Sequence, residues 1–481
     1  MPDVRVRFAP SPTGELHIGS VRTTLYNFLF ARQNRGSLVL RVEDTDQERL
    51  VTGAIESIYD GLHWLGIRWD EGPREGGPFA PYTQSERLPL YREHADALVA
   101  SGHAYPCFCS KERLDAMRRE QEKRHELTRY DRLCRWIPPD EAKRRVAAGD
   151  PHTIRLKIPE TGAIVAHDLV HGDVRWELKD IDDQILMKSD GFPTYHLAVV
   201  VDDHVMRISH VLRGDEWFPS LPKHLLLYQF FGWEAPAHGH LPLVLGPDHK
   251  KLSKRHGSTA VREFRDQGYI PEGLVNYLAL LGWASGTEEE VFTMEELAQK
   301  WRIEHLQDSP AIWDKNRLDW FNGVHIRRLA DGDLAERLAD FLPAGASAGL
   351  IRAAVPLVQE RIKTLLDARE MLEFLFVDDL AYDTSLLLEK REPAKVRDVL
   401  ERTVRIVTSG PFTADAIKAG LHGYAEQIGW KAKDAAMHVR IALTGKKVGP
   451  PLFESMLLLG KDRTLRRLRD AIARLSDPVA A

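Results

Sequence analysis

The stretch Arg7-Phe8-Ala9-Pro10-Ser11-Pro12-Thr13-Gly14-Glu15-Leu16-His17-Ile18-Gly19-Ser20 decides the fold. Just before and into it, Val4, Val6 and Phe8 alternate with arginines and predict a short strand. Pro10, Pro12 and Gly14 then bar a helix and force an extended turn. From Ile18 to Ala31 apolar residues recur at helical spacing, so a helix begins near His17. Strand, tight loop and helix in that order aim backbone N–H groups and a positive dipole end at whatever sits over the loop. Gly19 allows close approach of a flat group to the backbone, and His17 adds a side-chain donor. An anionic ligand with a flat base, such as ATP, fits this unit. An ordinary strand-to-helix turn with a surface histidine fits it equally well.

Outward from this unit, residues 37–42 read as a second strand that ends in Arg41-Val42-Glu43-Asp44-Thr45-Asp46. Carboxylates at strand ends of an α/β sheet lie where ligands bind. Glu43 suits a substrate amine; Asp44 and Asp46 suit loop support, a metal or a helix cap. Helices over 52–65 and 87–101, separated by a Gly/Pro-rich loop over 72–81, continue the alternation. A doubly wound parallel sheet is the natural reading.

Near Ala104 the character changes. Cys107-Phe108-Cys109 precedes a charged segment, 111–145, that contains Cys134. Strand-like pieces follow over 153–158, 172–178 and 183–187, as in an α+β module inserted into the sheet. Three cysteines invite a zinc site, but structural zinc wants four ligands. Arg135 and Trp136 follow Cys134, and His125 lies in a charged helix, so three reduced thiols is the expectation.

The sheet pattern resumes at Lys188. An apolar run, 197–201, reads as a strand that ends in Asp202-Asp203; a further strand over 208–212 ends in Arg213-Gly214-Asp215-Glu216-Trp217. Arg213 at a strand end suits a carboxylate, or a surface ion pair with Asp215 or Glu216. After a helix over 221–231, an apolar strand over 241–245 leads into Lys250-Lys251-Leu252-Ser253-Lys254-Arg255. Such a charge run is either a solvated face or a loop that folds over a polyphosphate.

The chain has 481 residues, too many for one core, which implies two to four domains. A composition 43% hydrophobic and 28% charged is that of a globular protein. No apolar run is long enough to span a bilayer and no signal peptide is evident, so a cytoplasmic location is expected. Three cysteines argue against a disulfide framework. A net charge of -5 carries no whole-protein signature of nucleic-acid binding; such a partner would need local basic patches.

The segments in combination carry a resemblance. His17-Ile18-Gly19-Ser20 resembles the HIGH signature, and Lys251-Leu252-Ser253-Lys254-Arg255 the KMSKS signature, of class I aminoacyl-tRNA synthetases. The wider words resemble bacterial glutamyl-tRNA synthetase over essentially the whole chain. They are 7–14 and 41–46, Tyr82-Thr83-Gln84-Ser85-Glu86-Arg87, and Asp190-Gly191-Phe192-Pro193-Thr194-Tyr195-His196. One departure concerns zinc: some members use Cys-x-Cys with Cys-x-His or Cys-x-Tyr, and the final position here is Trp136.

The resemblance implies a Rossmann-type catalytic domain split over 1–103 and 188–257, with an acceptor-stem-binding insertion over 104–187. It implies a helical stem-contact domain over 258–322 and a helical anticodon-binding region over 323–481. It implies ATP-dependent joining of L-glutamate to tRNA(Glu) through glutamyl-adenylate, with Mg2+ accompanying ATP, zinc not expected, and a monomer. His17, Lys251 and Lys254 would be catalytic. Gly19, Glu216, Trp217, Val244 and Ser253 would join them around ATP. Arg7, Ala9, Ser11, Glu43, Tyr195 and Arg213 would hold glutamate, with the two arginines on its carboxylates and Glu43 on its ammonium. In the helical tail, Arg361 lies in a segment resembling the family's base-contacting arginine. The last helix there is basic, with Lys461, Arg463, Arg466, Arg467 and Arg469 spaced to share a face.

Overall fold

Ser209 donates its backbone N–H to the Arg5 carbonyl at 2.9 Å, and this bond joins the two halves of the main sheet. On one side, the strand Arg5–Phe8 pairs in parallel with Ser37–Leu40. On the other, His210–Gly214 pairs in parallel with Ala237–Leu241. From the strand Arg5–Phe8 the chain winds outward one way, then returns to wind outward the other way. The boundary between Arg5–Phe8 and His210–Gly214 is therefore the switch point of a doubly wound sheet, where such folds open a crevice. The computed structural model that shows this describes residues 3–475, without the side chain of Lys254.

The strands are apolar because both faces are covered: Val6, Leu38, Val39, Val211 and Leu212 are all buried. The helix Ile18–Gln33 starts where the sequence predicts, with His17 as its N-cap. It crosses the sheet with Val21, Leu25 and Leu29 fully buried. Helices at Ala54–Trp64, Leu88–Ala100 and Leu221–Phe231 match the expected spans to within two residues.

Three expectations change. The run 197–201 is not a strand but part of the helix Tyr195–Val205. Residues 197–203 are buried all round, so no polar stripe marks the helical period. The expected strand over 241–245 is two, Ala237–Leu241 and Val244–Leu245, because Pro242 between them has no N–H to give. Finally, 104–187 is not wholly a separate module. Its strands Ala104–Cys107, Thr153–Leu156 and Ile185–Met187 do form their own antiparallel sheet. The hairpin Ala163–Asp168 with Gly172–Glu177 instead extends the main sheet, through a parallel bridge from Asp168 to His238.

The chain divides into two compact units. The first comprises residues up to Phe264 together with Leu274–Lys315. The second comprises Arg265–Gly273 and the chain from Asn316 onward. The segment expected as a stem-contact domain, 258–322, is thus shared between them. Among the described residues the second unit is wholly helical, around a core that includes Val399, Leu400, Val439 and Leu468. Its last helix, Lys461–Arg474, is less available than its composition implies. Arg463 donates to the carbonyls of Leu375 and Val377, Arg467 to Leu443 and Val377, and Arg474 to Leu380 and Tyr382. These arginines tie down the 375–382 segment and leave fewer charges for a partner. Arg361 is exposed in this unit. No described helix is long and apolar enough to cross a membrane.

Candidate active site

A cavity of about 1000 Å³ opens at the switch point. Its walls include Arg7, Ala9, Ser11, His17, Gly19 and Glu43, and from the far half of the sheet Tyr195, Arg213, Glu216, Trp217, Val244 and Lys251. Every residue expected around ATP or glutamate is therefore brought together here, apart from two. Ser253 is not in the cavity wall: its N–H and hydroxyl lie 3.1 and 3.3 Å from His256 Nδ1, within a self-bonded turn. Lys254 has its side chain outside the described residues.

His17 is fixed by its own helix. Its Nδ1 accepts the Gly19 N–H at 3.0 Å, so in the neutral ring the proton sits on Nε2. Burial, then the nearby charge of Lys251, hold its pKa below the ordinary histidine value and keep it neutral at pH 7. Glycine at 19 favours this contact: a Cβ would lie 3.2 Å from His17 Nδ1, and the ring would have to give by a few tenths of an ångström. The Ile18 N–H is taken by the Thr259 carbonyl at 2.9 Å. Two of the N–H groups at the helix start are thus occupied, which leaves His17 Nε2–H and the helix dipole as the main attractions for an anion. Across the cavity Lys251 is exposed, with its Nζ only loosely held by Glu216 at 3.5 Å.

Arg7 and Arg213 are both buried but differently partnered. Arg7 Nε donates to Asp203 at 3.2 Å. Asp203 also accepts from Arg41 at 2.7 Å, and Arg41 reaches Glu43 at 3.1 Å. Arg7 therefore shares its charge with a carboxylate. Glu43 ends the chain of pairs: burial pushes its carboxyl up to about 7, against the pull of Arg41 and Arg7. Asp203 and Arg41 were not singled out from the sequence; the signal would have been a charged pair closing an apolar run.

Arg213 has no carboxylate within 4 Å among the described residues, which removes the surface pair with Asp215 or Glu216. Its partners are neutral acceptors: His240 Nε2 at 2.9 Å, the Tyr195 hydroxyl and His224 Nδ1 at 3.2 Å each, and the Trp217 carbonyl at 3.3 Å. A guanidinium carries five N–H donors, so one on Nη2 remains for a ligand. Burial and then the Arg213 charge depress both His224 and His238, so these rings stay neutral beside it. The Tyr195 ring packs on Trp217 with centroids 4.2 Å apart.

Away from the cavity, the cysteine cluster has a fourth donor that the sequence hid. Sγ atoms of Cys107, Cys109 and Cys134 lie within 4.8 Å of one another. The Tyr130 hydroxyl, four residues before Cys134, is 3.3 Å from Cys107 Sγ and 3.5 Å from Cys109 Sγ. The neighbouring Cys134 thiol, and then the Tyr130 hydroxyl, hold the Cys107 thiol below the ordinary thiol range. Three thiols with a phenol beside them bring four possible donor atoms together, the number that tetrahedral structural zinc takes, although its usual sets are drawn from Cys and His. Trp136, the position that argued against zinc, is exposed and plays no part in the cluster.

A helix start and a lysine loop that face each other across a switch point suit an anionic nucleotide, the arrangement expected of a class I synthetase. The family model for class I tRNA synthetases (E and Q), catalytic domain, matches residues 3–320, and that for an anticodon binding domain matches 333–472. A glutamate–tRNA ligase of Dehalococcoides mccartyi is 45% identical over 99% of this chain and 98% of its own. One of Acidothermus cellulolyticus is 45% identical over 98% and 95%. The crystal structure of a glutamate tRNA ligase from Elizabethkingia meningosepticum, in complex with its amino acid, superposes with a TM-score of 0.89 at 34% identity, covering 98% of this chain and all of that one. The chain belongs to the glutamate–tRNA ligases.

Proposed function

We propose that the cavity activates L-glutamate with ATP and passes it to the 3′ end of tRNA(Glu), releasing diphosphate and then AMP. The observation that carries this is Arg213, a buried cation with neutral partners in the same cavity as the His17 helix start. In the first step a glutamate α-carboxylate oxygen attacks the α-phosphorus of ATP and the bond to diphosphate breaks. Negative charge grows on phosphate oxygens, so preorganised donors dominate the catalysis. His17 Nε2–H serves one side; Lys251, and Lys254 beside it, serve the other. Gly19, Glu216, Trp217 and Val244 complete the ATP site from the cavity wall, and Ser253 joins them only if its turn on His256 opens, with Mg2+ accompanying the phosphates. Arg7 and Arg213 take the two carboxylates of glutamate, Glu43 its ammonium, and Ala9, Ser11 and Tyr195 the remaining walls. In the second step a ribose hydroxyl of the tRNA 3′ end displaces AMP. Residues 104–187 and 258–322 meet the acceptor stem, 323–481 with Arg361 reads the anticodon, and the chain acts as a monomer. ATP–diphosphate exchange with glutamate and with glutamine, each with and without tRNA, tests the reading. Exchange is expected with glutamate alone among the two; exchange with glutamine would overturn it.

Glu43 makes the affinity for glutamate depend on pH. A carboxyl that titrates at about 7 must ionise before it can hold an ammonium. Glutamate affinity should be level above pH 7 and fall as pH drops below it, approaching about tenfold per unit. Isothermal titration between pH 5.5 and 8.5 checks this, and Glu43→Gln should flatten the profile. The cysteine cluster gives a separate expectation. Metal analysis of the purified protein should find one zinc per chain on Cys107, Cys109, Cys134 and Tyr130, lost in Cys107→Ser. A metal-free protein would return the cluster to three reduced thiols.

A further inference from the structure

Asp168 is fully buried at the inner end of the hairpin that extends the main sheet. Its two oxygens do different things. Oδ1 accepts three backbone N–H groups, from Val170, His171 and His240, at 3.0 to 3.2 Å. Oδ2 lies 2.6 Å from His240 Nδ1. Three fixed donors leave the carboxylate no freedom to turn, so Oδ2 must accept from His240. The imidazole then carries its proton on Nδ1 and offers a bare Nε2 lone pair, which takes the Arg213 Nε–H at 2.9 Å. The other imidazole contact has the same sense. His224 Nδ1 accepts from Arg213, and its Nε2 lies 3.0 Å from His196 Nδ1.

A carboxylate in direct contact would orient Arg213 equally well, but it would also cancel the charge that a substrate carboxylate feels. An imidazole in between keeps the geometry and leaves the charge. We propose that Asp168, acting through His240, is a positioning residue that aims Arg213 at the glutamate side chain and thereby sets the preference for glutamate over glutamine. This rests on the reading of Arg213 as a glutamate ligand.

Asp168→Asn in the full-length enzyme is the test. Its oxygen keeps the three backbone N–H groups, so its NH2 faces His240 Nδ1. The ring must then move its proton to Nε2, where it meets the Arg213 Nε–H head on. In aminoacylation with saturating ATP and tRNA, the KM for glutamate should rise about tenfold or more, while kcat and the KM for ATP move less than about threefold, as for one lost hydrogen bond to a charged group. The margin of glutamate over glutamine should shrink by about the same factor. His240→Gln, whose amide oxygen can still accept from Arg213, should lose less, and adding Asp168→Asn to it should change nothing further. Should the variant not fold, 15N imidazole spectra of the wild-type protein decide: His240 must carry its proton on Nδ1, and the opposite tautomer overturns the proposal. An unchanged glutamate KM in Asp168→Asn, with Arg213→Ala still crippled for glutamate, overturns the positioning role alone. An unaffected Arg213→Ala removes the pocket on which it rests.

Discussion

Replacing Arg213 by alanine is expected to weaken glutamate binding by roughly a hundredfold to several thousandfold, from about 3–5 kcal/mol for stranding the partner of a buried ion pair. The magnitude depends on burial and on charge that no internal carboxylate consumes, and both hold here: Arg213 is 5% exposed and bonds only neutral acceptors. Arg7, already paired with Asp203, should show a smaller effect on substrate and a larger one on folding. Glutamine keeps the shape of glutamate without its side-chain charge, so Arg213→Ala should cost glutamine far less and narrow the choice between them. Affinities for both amino acids, measured with tRNA present, check this. A loss for glutamate below about tenfold would take Arg213 out of the pocket.

Removing a donor from either side of the phosphates should instead appear in the rate. His17→Ala and Lys251→Ala are each expected to slow adenylate formation by roughly two to three orders of magnitude, the usual consequence of losing one preorganised donor. Neither side chain faces the amino-acid end of the cavity as assigned, so glutamate affinity should change far less. The two differ in how they are held. His17 is locked by Gly19 N–H in a single tautomer, so His17→Asn should recover part of the rate by offering an N–H in its place. Lys251 is exposed and barely attached to Glu216; its loss should be felt only when nucleotide is bound. Single-turnover adenylate formation separates these outcomes from binding, and near-normal rates in either variant would reject its role.

Much of this was legible from local pattern. The strand, the proline loop and the helix beginning at His17 are specified within twenty residues, because each is decided by neighbours in sequence. Glu43, Tyr195 and Arg213 share the cavity as the resemblance implied. What escaped depends on contacts distant in sequence. Residues 197–203 of the helix Tyr195–Val205 are buried on every side, so its period is erased. Tyr130 joins the cysteines only after the chain folds back. Asp168 reaches His240 across 72 residues because a hairpin expected in a separate module lies on the edge of the main sheet. The basic last helix misled for a different reason: composition gives the number of arginines, not the carbonyls that occupy them.

The strands Arg5–Phe8 and His210–Gly214 lie side by side although 204 residues separate Arg5 from Ser209. Closing so long a loop invites the expectation of a heavy entropic charge on folding. The dependence on length is logarithmic, however. Ala104–Cys107 and Ile185–Met187 flank one shared strand, so collapse of that small sheet draws together chain ends roughly 80 residues apart and lowers the remaining closure cost by only about 0.5 kcal/mol. Read the other way, a sheet of this winding can accept an extra eighty residues between two of its neighbouring strands for the loss of about half a kilocalorie. Lengthening the connections between its strands is then nearly neutral for stability, and what limits their growth is the speed of finding the partner strand.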